Sequence, residues 1–83
     1  MKYFARVEVK LKPGHSDPEG ETTGSLLREL GYKIEEVCVS KVYTILLEAQ
    51  THSEARNKTE EMCKRLLANP TKDNYAIFIE EAQ

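Results

Sequence analysis

Residues 2–12 read KYFARVEVKLK, and this stretch decides the fold. Apolar and polar side chains alternate along it, with Phe4 as the one apolar residue on the otherwise charged side. Because successive side chains of a β-strand point to opposite faces of the sheet, the alternation predicts a half-buried strand. The side chains on its predicted buried face are Tyr3, Ala5, Val7, Val9 and Leu11.

A helix is predicted after this strand. Pro13–Gly14 ends the strand, and Asp17 can accept a hydrogen bond from a free backbone N–H of a first helical turn. Pro18 suits the first helical position and Gly31 the position after the last. The predicted apolar stripe of this helix consists of Leu26, Leu27 and Leu30.

Two further stretches, residues 34–39 and 42–49, are rich in β-branched and apolar residues. The dipeptide Ser40–Lys41 between them leaves room only for a tight connection, which predicts a hairpin. A second helix is predicted to begin at a Ser53 cap and to end at Asn69–Pro70. Its predicted buried stripe consists of Ala55, Thr59, Met62, Cys63, Leu66 and Leu67, and a last strand is predicted over residues 75–80.

The order strand–helix–strand–strand–helix–strand predicts one α+β domain over residues 1–83. The expected arrangement is ferredoxin-like, with an antiparallel sheet and both helices on one of its faces. The other face stays open although it carries apolar groups. Burying four of them would contribute on the order of 6–10 kcal/mol before association costs. Single exposed apolar residues also occur on monomers, but we expect self-association through Phe4, Thr44, Leu46 and Phe78.

Composition narrows the possible functions. The formal net charge is −2, from 12 basic and 14 acidic residues mixed along the chain, so nothing builds the positive field that nucleic-acid binding needs. An RNA-recognition module would also need aromatic residues on its central strands. Cys38 and Cys63 are expected to be buried, small and reduced. Without a predicted signal peptide or membrane span, a cytoplasmic location is expected.

No catalytic or metal-binding constellation stands out in the sequence. His15 and His52 lie in predicted loops without a nucleophile or a second ligand at a suitable spacing. The most distinctive segment is the loop 12–20, which contains two prolines and two glycines. Binding residues often lie in ordered loops. We predict a partner-binding surface formed by Lys12, Pro13, Gly14, Asp17, Pro18, Gly20 and Lys41, against the simpler reading that the loop only turns the chain.

The segment Leu11–Gly20 resembles the LKPGxxDPxG sequence of the PurS family, the small subunit of phosphoribosylformylglycinamidine synthase. The resemblance continues, in order, through Leu30–Tyr32, Val37–Lys41 and Met62–Pro70, and spans essentially the whole chain. No single block is diagnostic, whereas their ordered combination in so short a chain is specific. The sequence departs from the family pattern at His15, Ser16, Thr23, Ser40 and Thr71–Lys72.

The resemblance implies a non-catalytic subunit of an ATP- and glutamine-dependent ligase of purine biosynthesis. The whole enzyme converts formylglycinamide ribonucleotide, ATP and glutamine into formylglycinamidine ribonucleotide, ADP, phosphate and glutamate. ATP, magnesium and glutamine are therefore expected to be used by the complex and not bound by this chain. The implied partners are a large synthetase subunit, a glutaminase subunit and further copies of the chain in a homodimer or tetramer. The small subunit is expected to bridge the other two and to help shield ammonia in transit.

One alternative stays open at this point. Regulatory ACT domains share the βαββαβ order and often carry Pro-Gly after the first strand, so Pro13–Gly14 also fits a small-molecule sensor. ACT domains are usually attached to another domain. A ligand that binds the folded state would raise the thermal stability of such a sensor.

Overall fold

The computed structural model describes residues 1–83. It contains an antiparallel sheet of three strands in the order β2-β1-β3, together with two α-helices. The predicted α+β class with an antiparallel sheet is confirmed. The strands are β1 Lys2–Leu11, β2 Lys41–Glu48 and β3 Asp73–Glu81; the helices are α1 Pro18–Glu29 and α2 His52–Met62, and α2 continues into one π-helical turn, Cys63–Leu67.

The central strand β1 carries the core, as its alternation predicts. Val7 is fully buried and lies opposite Tyr43 of β2 and Ile77 of β3. Helix α2 and its π turn close this face with Thr59 and Cys63, both fully buried. The Thr59 hydroxyl is satisfied by donating to the Ala55 carbonyl at 2.8 Å, so burying it leaves no polar group unpaired.

The predicted strand over residues 34–39 and its hairpin are wrong for the isolated chain. Residues 33–40 make no backbone–backbone hydrogen bond, and no turn separates them from β2. The favoured type I′ hairpin turn needs positive φ at both central residues. Only Gly14 and Gly31 have positive φ. Ser40 and Lys41 therefore do not form the tight turn that the prediction requires.

Helix α1 does not pack on the sheet, so the prediction that both helices cover one face holds for α2 alone. Its predicted stripe is largely solvent-exposed, with Leu26 at 55% and Leu30 at 74%. We call residues 18–40, which comprise α1 and the segment after it, the arm. The radius of gyration is 16.3 Å, whereas a compact chain of this length has one of about 12 Å. The arm accounts for this extended shape.

The N-cap of α2 lies two residues before the predicted Ser53 cap. Thr51 is the N-cap, and its hydroxyl accepts a hydrogen bond from the Glu54 N–H at 3.0 Å. The Glu54 carboxylate accepts a weaker bond from the Gln50 N–H at 3.4 Å. This resembles a capping box, in which a threonine cap and an acidic residue three positions later satisfy free N–H groups. Ser53 lies inside the helix and caps nothing.

The π turn at the end of α2 changes which leucine is buried. The Ala68 N–H donates to the Cys63 carbonyl at 3.0 Å, five residues back and not four, so the turn is wider than an α-helical one. Leu67 is half-buried and Ala68 is buried, but Leu66 is 83% exposed. The predicted burial of Leu66 is therefore wrong, because the wider turn rotates it into solvent.

This difference predicts unequal effects of the same substitution at neighbouring positions. Leu66→Ala is expected to change the free energy of unfolding by less than about 0.5 kcal/mol, because the side chain is already in water. Leu67 packs against the core around Val7 and Cys63, so Leu67→Ala is expected to cost about 1–3 kcal/mol. Urea unfolding of both variants measures the difference. Equal losses in the two variants would contradict the assignment of the π turn.

The two cysteines occupy different environments. Cys63 is buried, as predicted, and burial raises the pKa of its thiol. The predicted burial of Cys38 is wrong, because the segment that carries it joins no sheet and leaves the thiol exposed. Neither helix has the length and apolar character needed to cross a bilayer.

Candidate partner-binding site

The loop after β1 is held by bonds to the opposite end of the chain. The Lys12 N–H donates to the Lys72 carbonyl at 2.7 Å, and the Lys12 Nζ donates to the Pro70 carbonyl at 3.0 Å. Gly14, at φ +88°, makes the turn that Pro13 introduces. The loop is therefore anchored to the turn before β3 and is not a free connection.

Asp17 joins the loop 12–20, α1 and residues 33–40 of the arm, which we call the extended segment. One carboxylate oxygen accepts the Gly20 N–H at 3.0 Å, which is the predicted N-cap bond of α1. The other oxygen accepts the Val39 N–H at 2.9 Å, from a residue far along the chain. These two N–H donors, the Gly20 bond first, hold the pKa of the Asp17 carboxyl below its ordinary value. A single side chain thus closes the arm at its base.

The lowered pKa predicts an acid dependence of the arm. Because the folded-state pKa of Asp17 lies below the unfolded value, its bonds stabilise the arm above about pH 4, and this contribution is lost as the pH falls through the folded-state pKa. Asp17→Asn keeps an acceptor oxygen without the titration. It is expected to show a smaller difference between urea midpoints at pH 7 and pH 3 than the wild type. Glu19→Gln, on the exposed first turn of α1, is the control, and an equal reduction in both variants would contradict the role of Asp17.

The rest of the arm is held by close packing and by one arginine. The Arg28 guanidinium donates to the carbonyls of Ile34 at 3.3 Å and Glu35 at 2.7 Å. Gly20 and Gly24 are the only buried residues of α1. They lie against Val37, whose carbonyl oxygen approaches Gly20 too closely for any side chain there. The extended segment is thus docked along the glycine face of α1.

A cleft of about 840 Å³ lies between the loop, the arm and the end of β1. Its charged lining is mixed, with Lys10, Lys12 and Arg28 against acidic residues that include Glu21 and Glu36. Most of the predicted partner-binding residues meet here: Lys12, Pro13, Gly14, Asp17 and Gly20 line the cleft, Pro18 is the first residue of α1, and Lys41 lines an adjoining hollow of about 220 Å³.

Gly20 differs from the other residues of this set, because it is buried inside the arm and shapes the surface without being part of it. Partner binding by the set stays a prediction, and the structure brings its members to one end of the sheet. The predicted self-association residues lie on the sheet face opposite α2: Phe4, Thr44, Leu46 and Phe78 are all exposed there.

No group of three or more His, Cys, Asp and Glu side chains comes together to hold a metal ion. His52 packs edge-on against Tyr3, with ring centroids 6.3 Å apart. The exposed Cys38 thiol donates to Glu36 at 3.4 Å, and this bond, together with the negative charge of Glu36, raises the pKa of the thiol. A thiol with a raised pKa is a weak nucleophile at neutral pH.

Sequence reasoning did not identify the contacts that build the arm, although it placed Asp17 and Gly20 in the predicted partner-binding set. Glycine weakens a helix interior, and neither Gly24 nor Arg28 is among the predicted site residues. Two glycines four positions apart lie on the same face of a helix. That spacing is the signal for a closely approached backbone, here the one at Val37.

Comparisons with known proteins agree with this architecture. The family model for PurS, described as phosphoribosylformylglycinamidine (FGAM) synthase, matches residues 4–81. The PurS subunit of Archaeoglobus fulgidus is 45% identical over 79 residues, which cover 94% of this chain and 99% of that protein. The structure of Thermus thermophilus PurS matches with a TM-score of 0.90 and 37% identity over 100% of both chains.

A PurLQS structure from Thermotoga maritima contains a chain that matches with a TM-score of 0.88 and 25% identity, covering 96% of this chain and 99% of that one. The family match covers almost the whole chain, and it agrees with the loop sequence and with the fold. This chain therefore belongs to the PurS family of phosphoribosylformylglycinamidine synthase subunits.

Proposed function

We propose that this chain is a non-catalytic assembly subunit that bridges the ATP-dependent synthetase subunit and the glutaminase subunit of phosphoribosylformylglycinamidine synthase. The observation that carries the proposal is the match, over nearly the full length of both chains, to a chain in a PurLQS structure. The cleft beside the loop 12–20 supports it, since it is an anchored surface that carries charges of both signs. The same family match leaves the ACT-like alternative without a supporting observation.

In this proposal the chemistry belongs to the other subunits. ATP, magnesium and glutamine are used by the complex, and this chain contributes contacts that hold the two catalytic subunits together and shield ammonia between them. Both cysteines are free, which fits a reducing compartment, and the proposal places the complex in the cytoplasm.

A second copy of the chain is part of the proposal, because the arm is incomplete alone. Residues 33–40 leave their backbone groups without backbone partners, and the outer edge of β2 is unpaired. The inner-face residues of β2, Tyr43, Ile45 and Leu47, are only half-buried because α1 does not cover them. In the proposed dimer, the arm of one copy covers the part of the other copy's sheet that α2 leaves exposed, and its extended segment pairs with β2. The two chains together then form the predicted four-stranded sheet.

The experiment that tests the bridging role is co-purification with a tagged synthetase subunit. With glutamine and ADP present, the synthetase subunit, the glutaminase subunit and this chain are expected to elute as one complex whose mass includes all three. Omitting this chain is the control, and the glutaminase is then expected to elute separately. A synthetase–glutaminase complex that forms equally well without this chain would contradict the proposal.

A further inference from the structure

Strand β3 is one edge of the sheet, and its outer side carries backbone groups that face away from β1. Just beyond its two ends, the Lys12 N–H donates to the Lys72 carbonyl and the Ala82 N–H donates to the Lys2 carbonyl. Because hydrogen-bonded and non-hydrogen-bonded pairs alternate along an antiparallel ladder, the even-numbered residues of β3 bond to β1. The odd-numbered residues therefore direct their N–H and C=O groups outward. In the middle of the strand these are Tyr75, Ile77 and Ile79.

The side chain of Arg56 covers the centre of this edge. Its guanidinium donates to the Ile77 carbonyl at 3.2 Å, which shows that this carbonyl points away from β1. Tyr75 and Ile79, on either side, make no backbone–backbone hydrogen bond outside the β1 ladder. A strand edge with free N–H and C=O groups is a template for a further strand. Arg56 hinders the addition of any strand that offers no group to its charge.

One charged flank of α2 runs along the same edge. Glu60 lies one helical turn after Arg56, and its carboxylate accepts a hydrogen bond from the Tyr75 hydroxyl at 3.2 Å. Four helical residues rise about 6 Å and two strand residues about 6.8 Å, so the two charges stay level with successive outward residues, Ile77 and Tyr75. The Lys64 Nζ lies 3.9 Å from the same carboxylate, but so exposed a pair contributes little. The edge therefore presents a positive and then a negative charge.

These charges define the side chains that an added strand needs. Alternate side chains of such a strand point to the α2 side of the sheet. The one opposite Ile77 lies beside Arg56, so charge complementarity selects an acid there. The one opposite Tyr75 lies beside Glu60, which selects a base. The half-buried Ile79 selects an apolar side chain at the remaining position.

An acid at the first position also opens the edge. It draws the Arg56 guanidinium off the Ile77 carbonyl, and this carbonyl is then free to accept a backbone N–H from the added strand. A strand with a base at this position repels Arg56 and leaves the carbonyl occupied. The same side chain thus blocks unsuitable strands and admits suitable ones.

A second copy of β3 does not supply this order of side chains. The outward residues of β3 are aromatic or aliphatic, so they offer neither the acid nor the base. Antiparallel pairing of two β3 edges about Ile77 also brings two Arg56 side chains together, which is repulsive. The chemistry of the edge therefore favours a segment of another protein.

We propose that the outer edge of β3 binds an extended segment of a partner protein, added antiparallel to β3, with apolar, acidic and basic side chains in that order on the α2 side. In this mode of recognition, main-chain hydrogen bonds give affinity and alternate side chains give specificity. The inference goes beyond the bridging function and does not depend on it. The proposed arm exchange uses the β2 edge, at the other side of the sheet, and leaves β3 open.

The test adds two blocked peptides of identical composition, acetyl-TVTETKT-amide and acetyl-TVTKTET-amide, to the full-length chain. In the chain alone, the outward amides of Tyr75, Ile77 and Ile79 are expected to exchange faster than those of Ala76 and Phe78, which bond to β1. The first peptide is expected to slow the exchange of the outward amides. It is also expected to bind about tenfold more tightly than the second, which turns two attractive contacts into repulsive ones. NMR titration and amide exchange measure both effects.

Reversed charges in the protein are expected to reverse this preference. The double variant Arg56→Glu, Glu60→Arg exchanges the two charges along the edge and is expected to prefer the second peptide by about the same factor. The double variant Glu61→Arg, Arg65→Glu is the control, because it makes the same kind of exchange at two exposed positions away from β3. It is expected to keep the wild-type preference.

Four results would overturn the proposal. They are the absence of protection by either peptide, equal affinity of the two peptides for the wild type, an unchanged preference in the Arg56–Glu60 variant, and slow exchange of the outward amides without peptide. The last result would assign the edge to a second copy of the chain. None of them bears on the bridging role, which co-purification with the synthetase subunit decides separately.

Discussion

Gly20→Ala is expected to release the extended segment from α1 and to prevent the arm from docking on a second copy. A Cβ at this position would lie 2.6 Å from the Asp17 Oδ2 and closer still to the Val37 carbonyl oxygen. The carbonyl belongs to the backbone, so relief requires moving the whole segment. Such overpacking costs about 1–3 kcal/mol, enough to shift the arm to conformations that cannot pair. Mass by light scattering and amide exchange at Val39 measure the two effects.

Gly24→Ala is the matched control for this variant. A Cβ at Gly24 would lie 3.6 Å from the Arg28 Nη1 and 3.7 Å from the Val37 Cγ2, which are ordinary contacts. The substitution also removes a glycine from a helix interior, which is expected to stabilise α1 by about 0.5–1 kcal/mol. Equal mass and equal exchange in the two variants would contradict the docking of the arm along the glycine face.

Replacing Ser40–Lys41 with Asn-Gly is expected to convert the arm-exchanged dimer into a closed monomer. Asn-Gly favours the type I′ turn, with positive φ at both central residues, and neither Ser40 nor Lys41 adopts positive φ here. The turn would let residues 34–39 fold back on β2 of the same chain, and α1 would then cover Tyr43 and Ile45. The molar mass is expected to fall from that of the arm-exchanged dimer to that of one chain. The closed monomer is expected to have a radius of gyration of about 12 Å, against 16.3 Å for the open chain.

The control for the turn is Ala-Ala at the same two positions. It removes both side chains without favouring positive φ, so the exchanged state is expected to persist. If Asn-Gly and Ala-Ala leave the same mass, turn geometry does not decide between the open and the closed arm.

The sequence best predicts those parts of the structure whose contacts all lie within one chain. The alternation in β1 places Tyr3, Val7 and Val9 in the core, as the structure confirms. Asp17 is recognisable as a cap because its short acidic side chain precedes a proline suited to a first helical turn. These are local properties, and no other chain is needed to satisfy them.

The prediction fails where local preference leaves the partner undefined. Residues 34–39 have the composition of a strand, and composition cannot say whether the strand joins its own sheet or that of another copy. The same holds for Leu26 and Leu30, whose apolar stripe on α1 finds no surface within the chain. At the π turn, the regular helical stripe wrongly predicts that Leu66 is buried. A single wider turn cannot be recognised in the spacing of the apolar residues.

The candidate site also has one part that the sequence predicts and one part that it does not. The loop 12–20 is distinctive in sequence because of its prolines and glycines, and it does line the cleft. The contacts of Arg28 with the carbonyls of residues 34 and 35 depend on the chain path after α1. No spacing rule in the sequence defines that path.

In the proposed complex, this chain joins the two catalytic subunits and performs no chemistry itself. Its most direct test is the rate of formylglycinamidine ribonucleotide synthesis by the synthetase and glutaminase subunits, measured with glutamine and with free ammonia, in the presence and absence of this chain. Free ammonia bypasses the glutaminase, so the ammonia-dependent rate is expected to be the same in both cases. The glutamine-dependent rate is expected to require the chain. A glutamine-dependent rate that is equally high without the chain would contradict its bridging role.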